Sequence, residues 1–272
     1  MVNYTKRIII FALARTASTS LMNIFDIHKS VRAISEPFNL GNHPNLRRMG
    51  ILDICDHTIS NERELDEELS RIFLKFNLVK HVWHPSGFPF SNQDESYAFN
   101  DSRSLNEYLI THFDFVVVLK RRNILKRLVS SLMSMQTGIW DSFSMLQTGR
   151  PTDFAYKPLD TNIIEWHLEY ERFYEKYFLD SIRENNKKYV EITQEDFFDG
   201  KKTVDEKISA FKQICMDLEL DVEFTFDQMK IIGDYLASSS YKQYGYNSYS
   251  GVPNIREIED KYGSDETGWL FK

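Results

Sequence analysis

The segment from Arg15 to Ser20 contains the residue types that bind an anionic group. Arg15 carries a permanently charged guanidinium that donates to two oxygens at once. The segment consists of Arg15, Thr16, Ala17, Ser18, Thr19 and Ser20. A β-branched run, Arg7 to Phe11, precedes it, and an apolar pattern of helical period begins at Leu21. A strand–turn–helix junction presents unpaired N–H groups and the positive end of the helix dipole, so the segment predicts a phosphate or sulfate site.

This segment also has a simpler interpretation. Ser and Thr side chains often cap a helix, and an ordinary strand–helix turn would contain them as well.

The pattern G-x-x-x-x-G-K-[ST] is absent, so the turn is not a Walker A loop.

A second cluster follows the apolar run Phe115 to Leu119, which is typical of a strand buried on both faces of a parallel sheet. It is the densest group of basic residues in the chain and includes Lys120, Arg121, Arg122, Lys126 and Arg127. A helix is predicted from about Asn123, and Arg122, Lys126 and Ser130 are spaced four apart, which predicts a shared helix face. The position favours a ligand site, because open α/β sheets bind ligands at the carboxyl ends of their strands.

Three other interpretations apply to this strand end and its cations. Runs of charge commonly form a solvated face or a set of salt bridges on a helix. A nucleic-acid patch is disfavoured by the net charge of -7. A kinase-like nucleotide site is disfavoured too, since a Walker B strand ends in an acidic residue that helps to hold Mg²⁺, whereas this strand ends in cations.

The elements that must position these residues alternate between strand and helix. Further strands are predicted at 31–34, 78–83, 115–119 and 189–193, and helices at 65–76, 102–112, 162–184, 204–218 and 226–237. This alternation predicts an α/β three-layer sandwich with a central parallel sheet. Internal repeats and linkers are not evident, so residues 1–272 are interpreted as one domain. The Tyr- and Ser-rich tail from Ser238 has no clear period.

Composition limits the class of protein further. The 272 residues are 42% hydrophobic, which suffices for a large core. Only Cys55 and Cys215 are present, too few for a disulfide framework or a cysteine zinc site. The short apolar run near the N-terminus is not a signal peptide, and no stretch approaches the ~20 apolar residues of a membrane span. We therefore expect a cytoplasmic protein with no membrane or nucleic-acid partner.

The first segment resembles the 5′-phosphosulfate loop of sulfotransferases that use 3′-phosphoadenosine-5′-phosphosulfate (PAPS). Their pattern is approximately R-[ST]-G-[ST]-[ST]-x-L, which Arg15, Thr16, Ser18, Thr19 and Leu21 match. The loop is closer to the bacterial and carbohydrate types than to the cytosolic type. Ala17 replaces the glycine, and it would be strained if the position requires a positive φ.

The second cluster resembles the 3′-phosphate site of the same family. Those enzymes carry an arginine at this strand end and a serine eight positions later, a spacing that Arg122 and Ser130 match. The resemblance implies a P-loop-like sulfotransferase fold, PAPS as cofactor with PAP as its product, and no metal.

The resemblance also implies a general base near the first loop. Glu36 is the first choice, because related enzymes often carry a glutamate after the second strand. His81 and His84 are rivals, since cytosolic members have a strand that ends in Lys-x-His-x-Pro, although neither histidine has that spacing. Lys80 would help to neutralise the transferring group. A surface glutamate and packed histidines are the simpler alternatives.

The resulting hypothesis is a sulfotransferase that acts on the hydroxyl of a carbohydrate or small alcohol. The segments Phe38 to Asn61, Pro85 to Asn100 and Gln136 to Asp160 are the expected acceptor loops. A non-catalytic nucleotide-binding or scaffold protein of the same fold is the alternative, and a P-loop kinase-like enzyme is a weaker one.

Overall fold

A computed structural model describes residues 6–52, 54–55, 59, 61–82, 102–140, 154–198, 202–237 and 249–271. Its centre is a five-stranded sheet in which every pairing is parallel, in the order β2-β3-β1-β4-β5. The strands are β1 Ile8–Ala12, β2 Ala33–Ser35, β3 Leu78–Val82, β4 Phe115–Lys120 and β5 Lys188–Thr193. The three central strands are almost entirely buried, which explains the continuous apolar runs of β1 and β4, whereas β3 also buries Lys80 and His81.

Within the described residues, helices lie between these strands and after the last of them. They are α1 Ser18–Asp26, α2 His43–Arg48, α3 Glu62–Lys75, α4 Ser102–His112, α5 Ile124–Thr137, α6 Thr161–Glu184, α7 Gln194–Phe198, α8 Val204–Asp217, α9 Phe226–Ala237 and α10 Ile255–Tyr262. The helix predicted over 226–237 has those limits, and the other predicted helices and strands lie within three residues of their predicted bounds. The predicted α/β sandwich is confirmed. Among the described residues, no helix is long and apolar enough to cross a membrane.

The helices cover both faces of the sheet. On one face α3, α4 and α6 pack against Ile9, Phe11 and Val116. On the other face α1, α8 and α9 pack against Ile8 and Ile10. From β1 the chain passes to β2 at one edge of the sheet, and from β2 it then passes through β3 and β4 to β5 at the other edge. Because crossovers between parallel strands are right-handed, this reversal of direction places α1 on one face and α3 on the other.

A third core lies beside α5. Leu128 and Leu132 of α5 pack with Ile164 of α6 and with Ile258 of α10. No periodic pattern is evident in the sequence from Ser238 onward, yet Tyr249 and residues 255–262 contribute to this core. The C-terminal region therefore helps to hold the helix that follows β4.

Candidate active site

The predicted site residues lie at the carboxyl ends of the strands, as the parallel topology requires. The Arg15–Ser20 segment leads from β1 into α1, Glu36 follows β2, and Lys80 lies on β3. The turn Arg121–Asn123 joins β4 to α5. Since α1 leaves β1 on one face and α6 packs on the other, the ends of β1 and β4 border the crevice where such sheets bind ligands.

The loop after β1 has a left-handed backbone at two residues that are not glycine. Arg15 has φ 71° and Ala17 has φ 64°. Ala17 is the N-cap of α1, and no side chain caps that helix there. Thr16 is nearly fully buried, and its hydroxyl donates back to the Leu13 carbonyl at 2.8 Å. No Ser or Thr side chain therefore caps α1 at its N-cap, although the simpler interpretation of this turn requires one. The strain that was predicted for a positive φ at Ala17 is present.

The two predicted clusters touch each other. Arg15 Nε donates to Ser130 Oγ at 2.9 Å, although the two residues are 115 positions apart. The Arg15 guanidinium also donates to the carbonyl of Trp140. Ser130 is buried on α5. The loop after β1 and the helix after β4 are thus in direct contact.

The prediction that Arg122, Lys126 and Ser130 share one helix face is wrong for Arg122. Arg122 precedes α5, which begins at Ile124, so helical spacing does not extend to it. Its side chain is 65% exposed and donates to Asp196 Oδ2 at 2.9 Å, while Ser130 is buried. Arg122 and Ser130 lie at the same end of the sheet but contact different groups.

Glu36, Lys80 and Thr19 form a second group of contacts. The Lys80 ammonium pairs with Glu36 Oε1, and Lys80 Nζ lies 3.5 Å from Thr19 Oγ1. Asn39 donates to the other carboxylate oxygen of Glu36 at 2.8 Å. Glu36 has φ 48° and follows the last residue of β2. One buried lysine therefore joins the predicted base to the predicted anion loop.

His81 faces the opposite side of β3 from Lys80. Its ring is enclosed with the rings of Phe11 and Phe38, and Nε2 lies 2.9 Å from Asn106 Oδ1. Burial lowers the pKa of His81 to about 4. The amide oxygen of Asn106 requires a proton on Nε2. His81 is thus a neutral core residue, and His84 lies outside the described residues, as do Pro85 to Asn100.

Several residues of this edge were not predicted from the sequence. Arg121 donates from Nη1 to the Arg15 carbonyl at 2.9 Å. The Glu195 carboxylate accepts from the backbone N–H groups of Arg122 and Asn123 at 2.8 and 2.9 Å. Asn123 Nδ2 donates to the Trp269 carbonyl at 2.8 Å. The acidic pair Glu195 and Asp196 after β5 can be recognised in the sequence, whereas nothing in the sequence indicates the contact of Trp269.

No protein-family model matches this chain, and the comparison with curated proteins gives no match either. Its function must therefore be argued from the chemistry of the site.

Proposed function

We propose that this chain is a PAPS-dependent sulfotransferase that transfers a sulfuryl group to an acceptor hydroxyl. The observation that carries the proposal is the 2.9 Å hydrogen bond from Arg15 Nε to Ser130 Oγ. It joins the loop proposed to bind the 5′-phosphosulfate to the helix proposed to bind the 3′-phosphate. A ligand that carries both groups would contact both segments. The two sequence motifs predict the same arrangement.

The residues at this edge fit a ligand with several negative charges. Arg15, Arg121 and Arg122 all lie at the ends of β1 and β4. Among the described residues Arg121 makes no ion pair, and its hydrogen bond there is to the Arg15 carbonyl. Arg122 is paired with Asp196 at an exposed position, where an ion pair contributes at most about 1 kcal/mol. A phosphate can therefore replace Asp196 at little cost.

The proposed chemistry is an in-line displacement. Bound PAPS supplies a sulfuryl group whose bond to the phosphate oxygen breaks as the acceptor oxygen bonds to sulfur. Glu36 accepts the proton of the acceptor hydroxyl. Lys80 and Arg15 stabilise the negative charge that develops on the oxygen of the departing phosphate. Glu36 suits the role of base better than His81, because Lys80 connects it to Thr19 whereas His81 is enclosed in the core.

A non-catalytic nucleotide-binding protein is the second candidate. The observation that favours it is the pairing of both Glu36 carboxylate oxygens, one with Lys80 and one with Asn39. A carboxylate held in this way fixes the loop after β2 without having to accept a proton. This candidate and the sulfotransferase differ in turnover but not in nucleotide binding.

The first test is a calorimetric titration with PAP, run beside ADP. We expect PAP to bind at least tenfold more tightly, because only PAP carries the 3′-phosphate. Arg122→Ala should remove most of that preference, since a charged hydrogen bond contributes about 1.5–3 kcal/mol. Equal affinities for PAP and ADP in the wild-type protein would contradict the proposal.

The second test is a transfer assay with PAPS and a panel of carbohydrates and small alcohols. Glu36→Gln should lower kcat by about 100-fold or more, because general bases contribute on that scale. The PAP Kd should stay within twofold, which also shows that the variant is folded. Full activity in Glu36→Gln would show that another group is the base. PAP binding without transfer to any hydroxyl would favour the second candidate.

A further inference from the structure

Three successive carbonyls of the loop after β1 are each held by a side chain. The Leu13 carbonyl accepts from Thr16 Oγ1 at 2.8 Å, and the Arg15 carbonyl accepts from Arg121 Nη1 at 2.9 Å. The Ala14 carbonyl accepts a longer bond of 3.4 Å from Arg127 Nη1. A trans peptide directs its N–H opposite to its C=O. The N–H groups of Arg15 and Thr16 therefore point away from Arg127 and Arg121, respectively.

Arg127 is an unusual residue for this position, because it is 1% exposed. It forms a buried ion pair with Glu171 of α6. Burial and the neighbouring charge of Arg121 lower the pKa of Arg127 to about 9, so the guanidinium remains charged at neutral pH. A buried charge is retained only when other groups compensate it, so the pair fixes α5, α6 and the loop relative to one another.

The space beside these residues does not suit a nucleotide. A cavity of about 40 Å³ is lined by Thr16, Arg121, Arg127, Glu171 and Glu175, together with apolar side chains. That volume holds about one water molecule, whose share of the liquid is about 30 Å³. Beside this small cavity, Arg121 and Arg127 contact the backbone carbonyls of the loop.

The supported loop is the part of the site with a strained backbone. Positive φ at Arg15 and Ala17 persists only where the surroundings determine it. We propose that Arg121 and Arg127 are positioning residues that hold the loop after β1 in its anion-binding conformation. The inference rests on the proposed function for the identity of the ligand, but the support of the loop can be measured without any ligand.

The experiment compares Arg121→Met, Arg121→Lys and Arg122→Ala. Met keeps an unbranched apolar stem but removes every donor, and Lys keeps the charge and a donor group without the planar guanidinium. Arg122→Ala is the matched control, since it deletes the adjacent arginine without touching the loop carbonyls. Hydrogen exchange of the amides of the loop and of the first turn of α1 is followed by mass spectrometry, with the Leu21 N–H, which donates to the Ala17 carbonyl at 3.1 Å, as the hydrogen-bonded reporter. The amides of α9 report global folding.

We expect Arg121→Met to speed exchange of the loop amides about tenfold or more, because a charged hydrogen bond to the backbone is lost. Arg121→Lys should restore part of the protection, and Arg122→Ala should leave it unchanged. The PAP Kd should rise at least tenfold in Arg121→Met. Unchanged loop exchange in Arg121→Met would overturn the positioning role, and so would an equal increase in Arg122→Ala.

Arg127 needs a double variant, because Arg127→Met alone leaves the Glu171 carboxylate buried without a partner and can unfold the chain. Arg127→Met with Glu171→Gln removes both charges and should also speed loop exchange with α9 unchanged. The failure of the two proposals can be distinguished. Faster loop exchange in a protein that never binds PAP rejects the sulfotransferase alone, whereas PAP binding with unchanged loop exchange rejects the positioning role alone.

Discussion

At the scale of single residues, the site combines charge with local backbone strain. Three of its residues, Arg15, Ala17 and Glu36, have positive φ without being glycine. Each such residue costs of order 1–3 kcal/mol, so the surrounding contacts must hold it in place. Arg15 is held through its carbonyl and its guanidinium, and Glu36 through both carboxylate oxygens. Ala17 has no such polar contact from its own side chain.

Ala17→Gly should therefore stabilise the protein. Glycine adopts φ 64° without the Cβ clash, which is worth about 1 kcal/mol. Ala210→Gly is the control, because Ala210 lies inside α8, where glycine costs about 1 kcal/mol. Urea unfolding of both variants measures the two changes. If Ala17→Gly lowers the free energy of unfolding as Ala210→Gly does, residue 17 is not left-handed.

At the scale of elements, the start of α5 is where the turn after β4, the segment after β5 and the C-terminal segment meet. Glu195, the second residue of α7, accepts from the N–H groups of Arg122 and Asn123. The C-terminal segment adds the Thr267 carbonyl, which accepts from Leu125 N at 2.9 Å. Asn123 caps the helix by accepting from Lys126 N at 2.8 Å. The N-terminal donors of a helix need such partners, and here distant parts of the chain provide them.

Gly268→Ala should disrupt this junction. Gly268 has φ 88°, and a Cβ there would lie 2.3 Å from Cγ of Asn123. We expect a loss of about 3 kcal/mol, which combines backbone strain with a steric clash. Gly138→Ala is the control, because Gly138 has φ 70° but no atom of the described residues lies within 4 Å of the added Cβ, and it should cost about 1 kcal/mol.

Urea unfolding compares these two glycine variants. Equal losses would mean that the C-terminal segment does not pack closely against Asn123 in solution. A larger loss at Gly268 would show that the C-terminal region stabilises the turn after β4.

At the scale of the whole molecule, the free energy of unfolding depends on pH through groups buried in the core. His81 has a pKa of about 4 in the folded protein, mainly because of burial, with smaller opposing effects from Asn106 and Glu36. Its ordinary pKa is 6.5. Between these values the unfolded chain binds more protons, so the free energy of unfolding falls as the pH falls through this window.

We expect His81 to account for a loss of about 2 kcal/mol between pH 7 and pH 5. Urea unfolding at both pH values, for the wild-type protein and for His81→Gln, isolates this contribution, since the other titrating groups are shared. The wild-type protein should lose about 2 kcal/mol more than the variant over this interval. Parallel losses would mean that His81 is accessible to water in the folded state.

The sequence by itself determined the α/β class and the limits of most helices and strands. It also placed the Arg15–Ser20 segment at a strand–helix junction, because apolar periodicity and small polar turn residues are local signals. The order of the strands depended on packing. So did the folding of residues 255–262, whose apolar side chains complete a core formed by α5 and α6.

Only the tertiary structure distinguished the three consecutive cations after β4. Lys120 pairs with Glu175 and Glu191, Arg121 holds the Arg15 carbonyl, and Arg122 faces solvent and Asp196. Neighbouring residues at a strand end point in different directions, and their partners lie on elements far away in the chain. The sequence therefore predicts that a basic cluster is present, whereas the packing of those elements decides which cation supports the loop and which one can meet a ligand.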